Sequence, residues 1–302
     1  MGHEMSGTIV EVGSNVTGLN IGQNVAINPS MDDRHHGKED CSVCQSERRN
    51  LCKSWACYGL SAHGGFADEI VVKRFSCIPV PDGVSLKAAA LAEPLAVASH
   101  MIRISGFKHG HDVVILGAGP IGLALLLLLR PKARKIIISE VTESRSRQAE
   151  RFGADLVVNP LAKTSNGAGS GNLVMDAVHD IMRDGADIAF DATGIQSTLD
   201  TALLVVKPGG VVFNVAIHEK PLLINPNSFS LREVKLMGGI CYTNEDFEDV
   251  LRALATGKLA AEDMITSIVR LEEAVQGGFL ELINNKAKHV KILIQPSTSA
   301  AL

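Results

Sequence analysis

The sequence predicts an α/β protein: a doubly wound parallel sheet, with a smaller and mostly β portion ahead of it. Three observations carry that prediction. Between roughly 104 and 240, the runs DVVILG, KIIISE, LVVNP, DIAFDATG and GGVVFNVA alternate with helical stretches. Strands apolar on both faces belong in a parallel sheet covered by helices, and strand–helix alternation is its mark. Residues 5–28 instead alternate apolar and polar positions between Gly7, Gly13, Gly18 and Gly22, as short antiparallel strands joined by turns do. At residue 86 the period changes from two to helical, which divides the two regions.

The remaining elements follow in order. Residues 29–65 are polar and rich in Asp, His, Cys and Gly, a lobe too long to stay irregular unless something functional or a metal orders it. FADEIVV (66–72) and CIPVP (77–81) resume strand character. KAAALAEPLAVASHMIRISG is helical, with an interruption expected at Pro94. The helices GPIGLALLLLL, ESRSRQAERFGA (ending at Gly153), HDIMRDG and QSTLDTALLVVKPG link the strands of the sheet. NGAGSGN at 166–172 is a small-residue patch, EDFEDVLRALATG (245–257) a helix and HVKILI (289–294) a closing strand.

Composition narrows the function classes. Aromatics make up 4% of the 302 residues, net charge is −4, and no stretch is strongly basic, which argues against nucleic-acid binding. The longest apolar run, Ile121 to Leu129, ends at Arg130 and Pro131, too short for a membrane span. No basic-then-apolar leader precedes the first motif, and three of the six cysteines cluster, so a cytoplasmic protein with thiols or metal ligands is expected.

GAGPIG at 117–122 follows the strand Val113–Leu116 and opens a helix. In that context Gly117 permits a tight turn, Gly119 lets backbone approach a pyrophosphate, and Gly122 lets helix and strand pack closely. Pro120 and Ile121 complete the turn, and the helix N-terminus favours an anion. Glu140 stands where a carboxylate would accept the adenosine ribose hydroxyls and repel a 2′-phosphate, favouring NAD over NADP. Arg145, five residues on, is the group that would accommodate such a phosphate.

His3 and Glu4, between glycines, are metal-ligating types, although spacing alone favours an ordinary surface pair. Glu93 precedes Pro94 in an apolar stretch, where a carboxylate needs a metal, an Arg or a helix N-terminus as partner. Cys41, Cys44 and Cys52 form C-x2-C-x7-C, three ligands of the four that a closed structural zinc site takes. His35 and His36 are the nearest spare donors, Lys38 lies three residues before Cys41, and reduced cysteines without metal remain the alternative. Cys57, Cys77 and Cys241 read as small buried hydrophobes.

GHEMSGTIVEVGSNV resembles the signature of the zinc-containing medium-chain alcohol dehydrogenases, and LAEPLAVASH, LGAGPIGL, DATG, KPGG and GGICYTNEDF follow in that family's order. EPLAVASH, NVAIHEKPLLINPN and GGICYTNEDF are most similar to its butanediol and sorbitol dehydrogenase branch. The resemblance implies a partial GroES-like catalytic domain at 1–95, a Rossmann NAD-binding domain at 96–240 and a return to the catalytic domain at 241–302. It implies a catalytic zinc on His3, Glu4 and Glu93, and a structural-zinc lobe in which Lys38 replaces the first of four cysteines. It also implies a dinucleotide along Gly117, Gly119, Ile121, Gly122, Glu140 and Arg145. Val97, Ala192, Thr193, Val215 and Ile240 would flank the nicotinamide half, and Lys291 would reach the pyrophosphate. The expected activity is hydride transfer between NAD and a secondary alcohol or vicinal diol, in a homodimer or homotetramer. Polyol oxidation is the neighbouring possibility. The family carries further residues before G-H-E, among them a zinc-binding Cys, so an N-terminally incomplete domain is expected, and with it a catalytically impaired nucleotide-binding remnant as an alternative.

Overall fold

The computed structural model describes residues 1–162 and 171–296, so positions 166–170 of the small-residue patch lie outside the described residues. The chain forms two compact units, Met1–Val97 with Ile240–Leu302, and Ala98–Gly239.

In the first unit, strand β1 (Met5–Thr8) pairs antiparallel with β2 (Asn24–Ile27), Met5 opposite Ile27 and Thr8 opposite Asn24. The polar lobe follows. It runs through β3 (Ser30–Met31), a 3-10 turn (Asp33–His36), α1 (Ser42–Gln45), a second 3-10 turn (Arg49–Leu51) and β4 (Ala56–Cys57). Because β4 pairs back onto β3, Ser30 opposite Cys57, the lobe is a loop closed at its base by a short ladder. Strand β5 (Cys77–Pro79) joins the other edge of β2. Met5, Val25, Ile27 and Tyr58 form the small core beneath.

Two expectations change here. Residues 66–72 alternate as foreseen, with Ile70 and Val72 packed on that core and Val71 95% exposed, yet they form no strand. Both edges of β2 are taken by β1 and β5, and alternation reports which side chains turn inward rather than whether an edge is free to pair. The helical stretch divides into α2 (Leu86–Ala90), capped by the Ser85 hydroxyl accepting from Ala88 N at 3.0 Å, and α3 (Ala92–Ile104). The break falls at Leu91 and not at Pro94, because Pro94 sits in the first turn of α3, where its missing N–H has no acceptor to lose.

The second unit contains β6 (Asp112–Leu116), α4 (Pro120–Leu129), β7 (Lys135–Ser139), α5 (Glu143–Arg151), β8 (Leu156–Val158) and α6 (Leu173–Ile181). It continues with β9 (Ala186–Asp191), α7 (Gln196–Val205), β10 (Val206–Asn214), α8 (Asn227–Ser230) and β11 (Lys235–Gly238). Among the described residues these strands make one parallel six-stranded sheet in the order β11-β10-β9-β6-β7-β8. The α/β doubly wound class read from the sequence is the class of this unit. Every residue of β6 is buried, and helices cover strands of this kind on both faces. The chain winds outward from β6 to β8, then restarts beside β6 at β9, so the loops after β6 and β9 emerge side by side at the carboxyl edge. The helix expected over HDIMRDG lies earlier, at α6, because Asn172 caps it by accepting from Val174 N and Met175 N. Strand β11 went unread in the sequence.

The chain then contributes to the first unit again. Helix α9 (Asn244–Ala255) starts from a Thr243–Asp246 capping box, and β12 (Ile265–Arg270) runs parallel to β13 (Lys291–Gln295). Among the described residues no helix is long and apolar enough to cross a membrane.

Candidate active site

His3 and Glu4 lead into β1, and glycine backbone holds that segment. Gly65 N donates to the Gly2 carbonyl at 2.8 Å and Phe66 N to the Met1 carbonyl at 3.0 Å. A Cβ at Gly64 would stand 2.3 Å from Gly59 Cα and 2.4 Å from Gly2 O. One at Gly59, itself at φ +85°, would stand 2.2 Å from Gly2 O. Only glycine leaves room for this approach.

Glu93, in the first turn of α3, meets the pair: one donor atom each from His3, Glu4 and Glu93 lie within 4.8 Å of one another. The Tyr242 hydroxyl donates to Glu93 Oε1 at 2.8 Å, and the Lys291 ammonium to Glu4 Oε2 at 2.5 Å. Tyr242 is buried edge-on to Phe247, with ring centroids 5.5 Å apart. Burial, then the Glu4 charge, pushes the Glu93 carboxyl up to about 8, against the pull of the Tyr242 hydrogen bond and the Lys291 charge. Burial, then the Glu93 charge, likewise raises the thiols of Cys57, to about 12, and Cys241, to about 11. The donor set, one imidazole and two carboxylates with one of them deeply buried, fits a divalent zinc by ligand type and by its need for positive charge.

Two features here escaped the sequence reading. Lys291, expected at a pyrophosphate, is engaged with Glu4. Tyr242 was visible only as a letter of GGICYTNEDF, with nothing to mark it as the Glu93 donor.

In the second unit the glycine turn is constrained by space. Gly117 has φ +100°, and a Cβ there would meet Thr193 Cγ2 at 2.7 Å. A Cβ at Gly122 would fall 1.9 Å from the Gly117 carbonyl oxygen, whereas at Gly119 it would meet open space. Gly119 is the N-cap of α4, Pro120 follows in the first turn, and no side chain caps that end. Its first N–H groups are therefore suited to an anion, and the turn fits a dinucleotide pyrophosphate.

Glu140, at the carboxyl end of β7 and buried, accepts from Ala118 N at 2.8 Å through Oε2 and from Thr142 N at 2.7 Å through Oε1. It thus braces the glycine turn from below, which spacing alone did not suggest; Arg145 lies on α5. Asp191, fully buried at the end of β9, accepts through Oδ1 from Thr193 N at 3.0 Å and from the Thr193 hydroxyl at 2.8 Å. Ala192 N donates to Leu116 O at 3.0 Å and Val215 N to Asp191 O at 2.9 Å. Gly117, Ala192, Thr193 and Val215 are so gathered at the carboxyl edge of β6, β9 and β10, while Val97, Ile240 and Lys291 belong to the first unit.

The cysteine lobe is also assembled. Cys41 Sγ and Cys44 Sγ are 3.6 Å apart, and Cys52 joins them. The histidines named as spare donors are committed elsewhere. His35 Nδ1 accepts from Asp32 N at 2.9 Å and its Nε2 lies 3.0 Å from Ser76 Oγ, while His36 Nε2 lies 3.1 Å from Ser54 O. The Lys38 ammonium donates to Ser54 Oγ at 3.0 Å.

A parallel sheet with a dinucleotide-type glycine turn at its carboxyl edge, in a chain whose other unit presents zinc-type donors, is the combination of metal- and nucleotide-dependent oxidoreductases. Residues 1–82 match the family model of the alcohol dehydrogenase GroES-like domain, and residues 120–256 that of the zinc-binding dehydrogenases. The chain belongs to the zinc-containing medium-chain alcohol dehydrogenase family, which implies zinc and a nicotinamide cofactor. It is 39% identical to an (R,R)-butanediol dehydrogenase of Saccharomyces cerevisiae, over 98% of this chain and 80% of that protein. To a probable D-xylulose reductase A of Aspergillus clavatus it is 31% identical, over 97% of this chain and 79% of that protein. The crystal structure of 2R,3R-butanediol dehydrogenase from Bacillus subtilis matches with a TM-score of 0.87 at 31% identity, over 98% of this chain and 80% of that one.

Proposed function

We propose that this protein transfers hydride between NAD and a secondary alcohol, with (R,R)-2,3-butanediol as substrate. The observation that carries the reading is the convergence of His3, Glu4 and Glu93 in a chain that also bears the glycine turn braced by Glu140. Zinc held by His3, Glu4 and Glu93 would supply a Lewis acid that lets the alcohol ionise near neutral pH, and NAD the hydride acceptor.

The chain's own residues orient these groups. Tyr242 fixes one oxygen of Glu93 by donating to it, and Lys291 fixes Glu4 and offsets one of the two adjacent negative charges. The first turn of α4 offers N–H groups to a pyrophosphate, and the buried Glu140 charge disfavours a 2′-phosphate, hence NAD over NADP. Asp191 holds Thr193 against Gly117 and so keeps the far wall of the turn in place. On the same reading the protein works in the cytoplasm as a homodimer or homotetramer.

The test is initial-rate measurement with butanediol stereoisomers, xylitol and sorbitol against NAD and NADP, before and after treatment with a chelator. Zinc-dependent NADH formation is expected, fastest with the (R,R)-diol. A purified protein inactive on every vicinal diol and polyol would overturn the substrate assignment, and a preference for xylitol would move it to the polyols.

A further inference from the structure

We propose that Asp33 is the fourth ligand of a structural zinc ion held with Cys41, Cys44 and Cys52. Spacing offers no such candidate, because Asp33 lies eight residues before Cys41, whereas the family resemblance points to Lys38 as the place of the first cysteine. The fold brings it there. Asp32 caps the 3-10 turn Asp33–His36, accepting from Arg34 N, and this starts the turn with Asp33 as its first residue. Cys41 is the N-cap of α1, Cys44 lies within α1, and Cys52 directly follows the turn Arg49–Leu51. One donor atom from each of Asp33, Cys41, Cys44 and Cys52 lies within 4.8 Å of the others.

The spacing is that of a metal tetrahedron. Zinc–sulfur bonds of about 2.3 Å at tetrahedral angles set sulfurs roughly 3.8 Å apart, and Cys41 Sγ stands 3.6 Å from Cys44 Sγ. Asp33, Cys44 and Cys52 are buried, at 2%, 1% and 5% exposure, so the cluster is closed as structural sites are. Backbone amides already point at the sulfurs and the carboxylate. Ser54 N donates to Cys52 Sγ at 3.3 Å, and Cys41 N to Asp33 Oδ2 at 3.0 Å. Such hydrogen bonds hold ligands in position around a metal.

The neighbouring cations have other carboxylates to neutralise: the Arg34 guanidinium sits on Asp32, and Arg49 on Asp40 and Asp32. Among the described residues Asp33 makes no ion pair, and a buried carboxylate among three sulfurs suits a divalent metal as its charge partner. The loop of residues 32–55 is tied at its base by the two pairs of the β3–β4 ladder, and a zinc on these four residues would clip its interior.

The experiment uses the purified, zinc-replete protein. Anomalous diffraction at the zinc edge is expected to place an ion in the lobe, bonded to three sulfurs at about 2.3 Å and to the Asp33 carboxylate at about 2.0–2.2 Å. In solution, Asp33→Asn and Asp33→Ala should weaken zinc retention in the lobe by roughly 10–100-fold in competition with a chromophoric chelator. An empty lobe, a water or another side chain in the fourth position, or unchanged retention in a folded Asp33→Asn protein would overturn the proposal. None of these readouts depends on dehydrogenase activity, so the site stands or falls apart from the proposed reaction.

Discussion

A single methyl group at Gly64 is expected to disable the candidate active site without touching any residue of it. A Cβ there would stand 2.3 Å from Gly59 Cα, 2.4 Å from Gly2 O and 2.5 Å from Met1 O, where ordinary contact begins at 3.4 Å. All three neighbours are backbone, so none can swing away as a flexible side chain would, and the segment before β1 must retreat by roughly 1 Å. Gly64 does not have the positive φ of Gly59, so the backbone accepts alanine and the cost appears as displacement. Overpacking of this kind costs about 1–3 kcal/mol, and the smaller conformational freedom of an unfolded alanine chain offsets about 0.4–1 kcal/mol. Because the retreating atoms carry His3, a shift of about 1 Å at a reacting centre predicts a loss on the order of 100-fold in kcat/KM. Zinc content, steady-state kinetics and thermal unfolding would be measured for Gly64→Ala beside Gly7→Ala. Gly7 lies in β1 with nothing within 4 Å of its added Cβ, so its variant should behave as the parent protein does. If Gly64→Ala retains its zinc and stays within about twofold of Gly7→Ala in kcat/KM, the cradle argument is wrong.

Two further outcomes are expected. Tyr242→Phe keeps the buried ring against Phe247 but removes the donor to Glu93, so the carboxylate, charged when it holds a metal, loses a hydrogen bond worth about 1.5–3 kcal/mol, and metal affinity falls with it. Chelator competition reads this directly, and an unchanged affinity would show that Tyr242 is only packing. Asp155 accepts from Lys135 Nζ at 2.8 Å, Ile136 N at 2.8 Å and Arg130 Nη1 at 2.5 Å. Burial alone would raise its carboxyl, but these partners outweigh burial and hold it below the usual carboxylate range. A depressed folded-state pKa stabilises the protein above the unfolded value near 3.9, and that stability is lost as pH falls through the folded value. Asp155→Asn should therefore cost about 1–2 kcal/mol at neutral pH, discounted for the exposure of Lys135 and Arg130. The gap from the parent in thermal unfolding should close as the pH drops below about 4, and a gap independent of pH would refute the assignment.

What the sequence determined by itself was local. GAGPIG after an apolar strand specified its turn because a tight turn, a helix N-terminus and a close helix–strand contact each constrain a few adjacent residues, and Gly117 and Gly122 are where a Cβ would collide. The parallel strands were legible for the same reason, since burial on both faces is written residue by residue. G-H-E and E-P-L carried the family resemblance in a few letters each.

The tertiary structure decided everything that depends on where the chain returns. Tyr242 is 149 positions from Glu93, and Lys291 is 287 from Glu4. No periodicity links such pairs, because helix and strand periods describe one element and say nothing of its neighbour. Ile70 and Val72 alternated correctly yet found no free edge of β2. Asp33 shows the limit most plainly. It is eight residues from Cys41, outside any ligand spacing that a motif would include, and a capped turn within a loop tied by β3 and β4 sets its carboxylate among the three sulfurs. Spacing along a chain encodes backbone geometry over a turn or a strand; which side chains share a charge, a proton or a metal is set by the packing of segments that the chain brings together from afar.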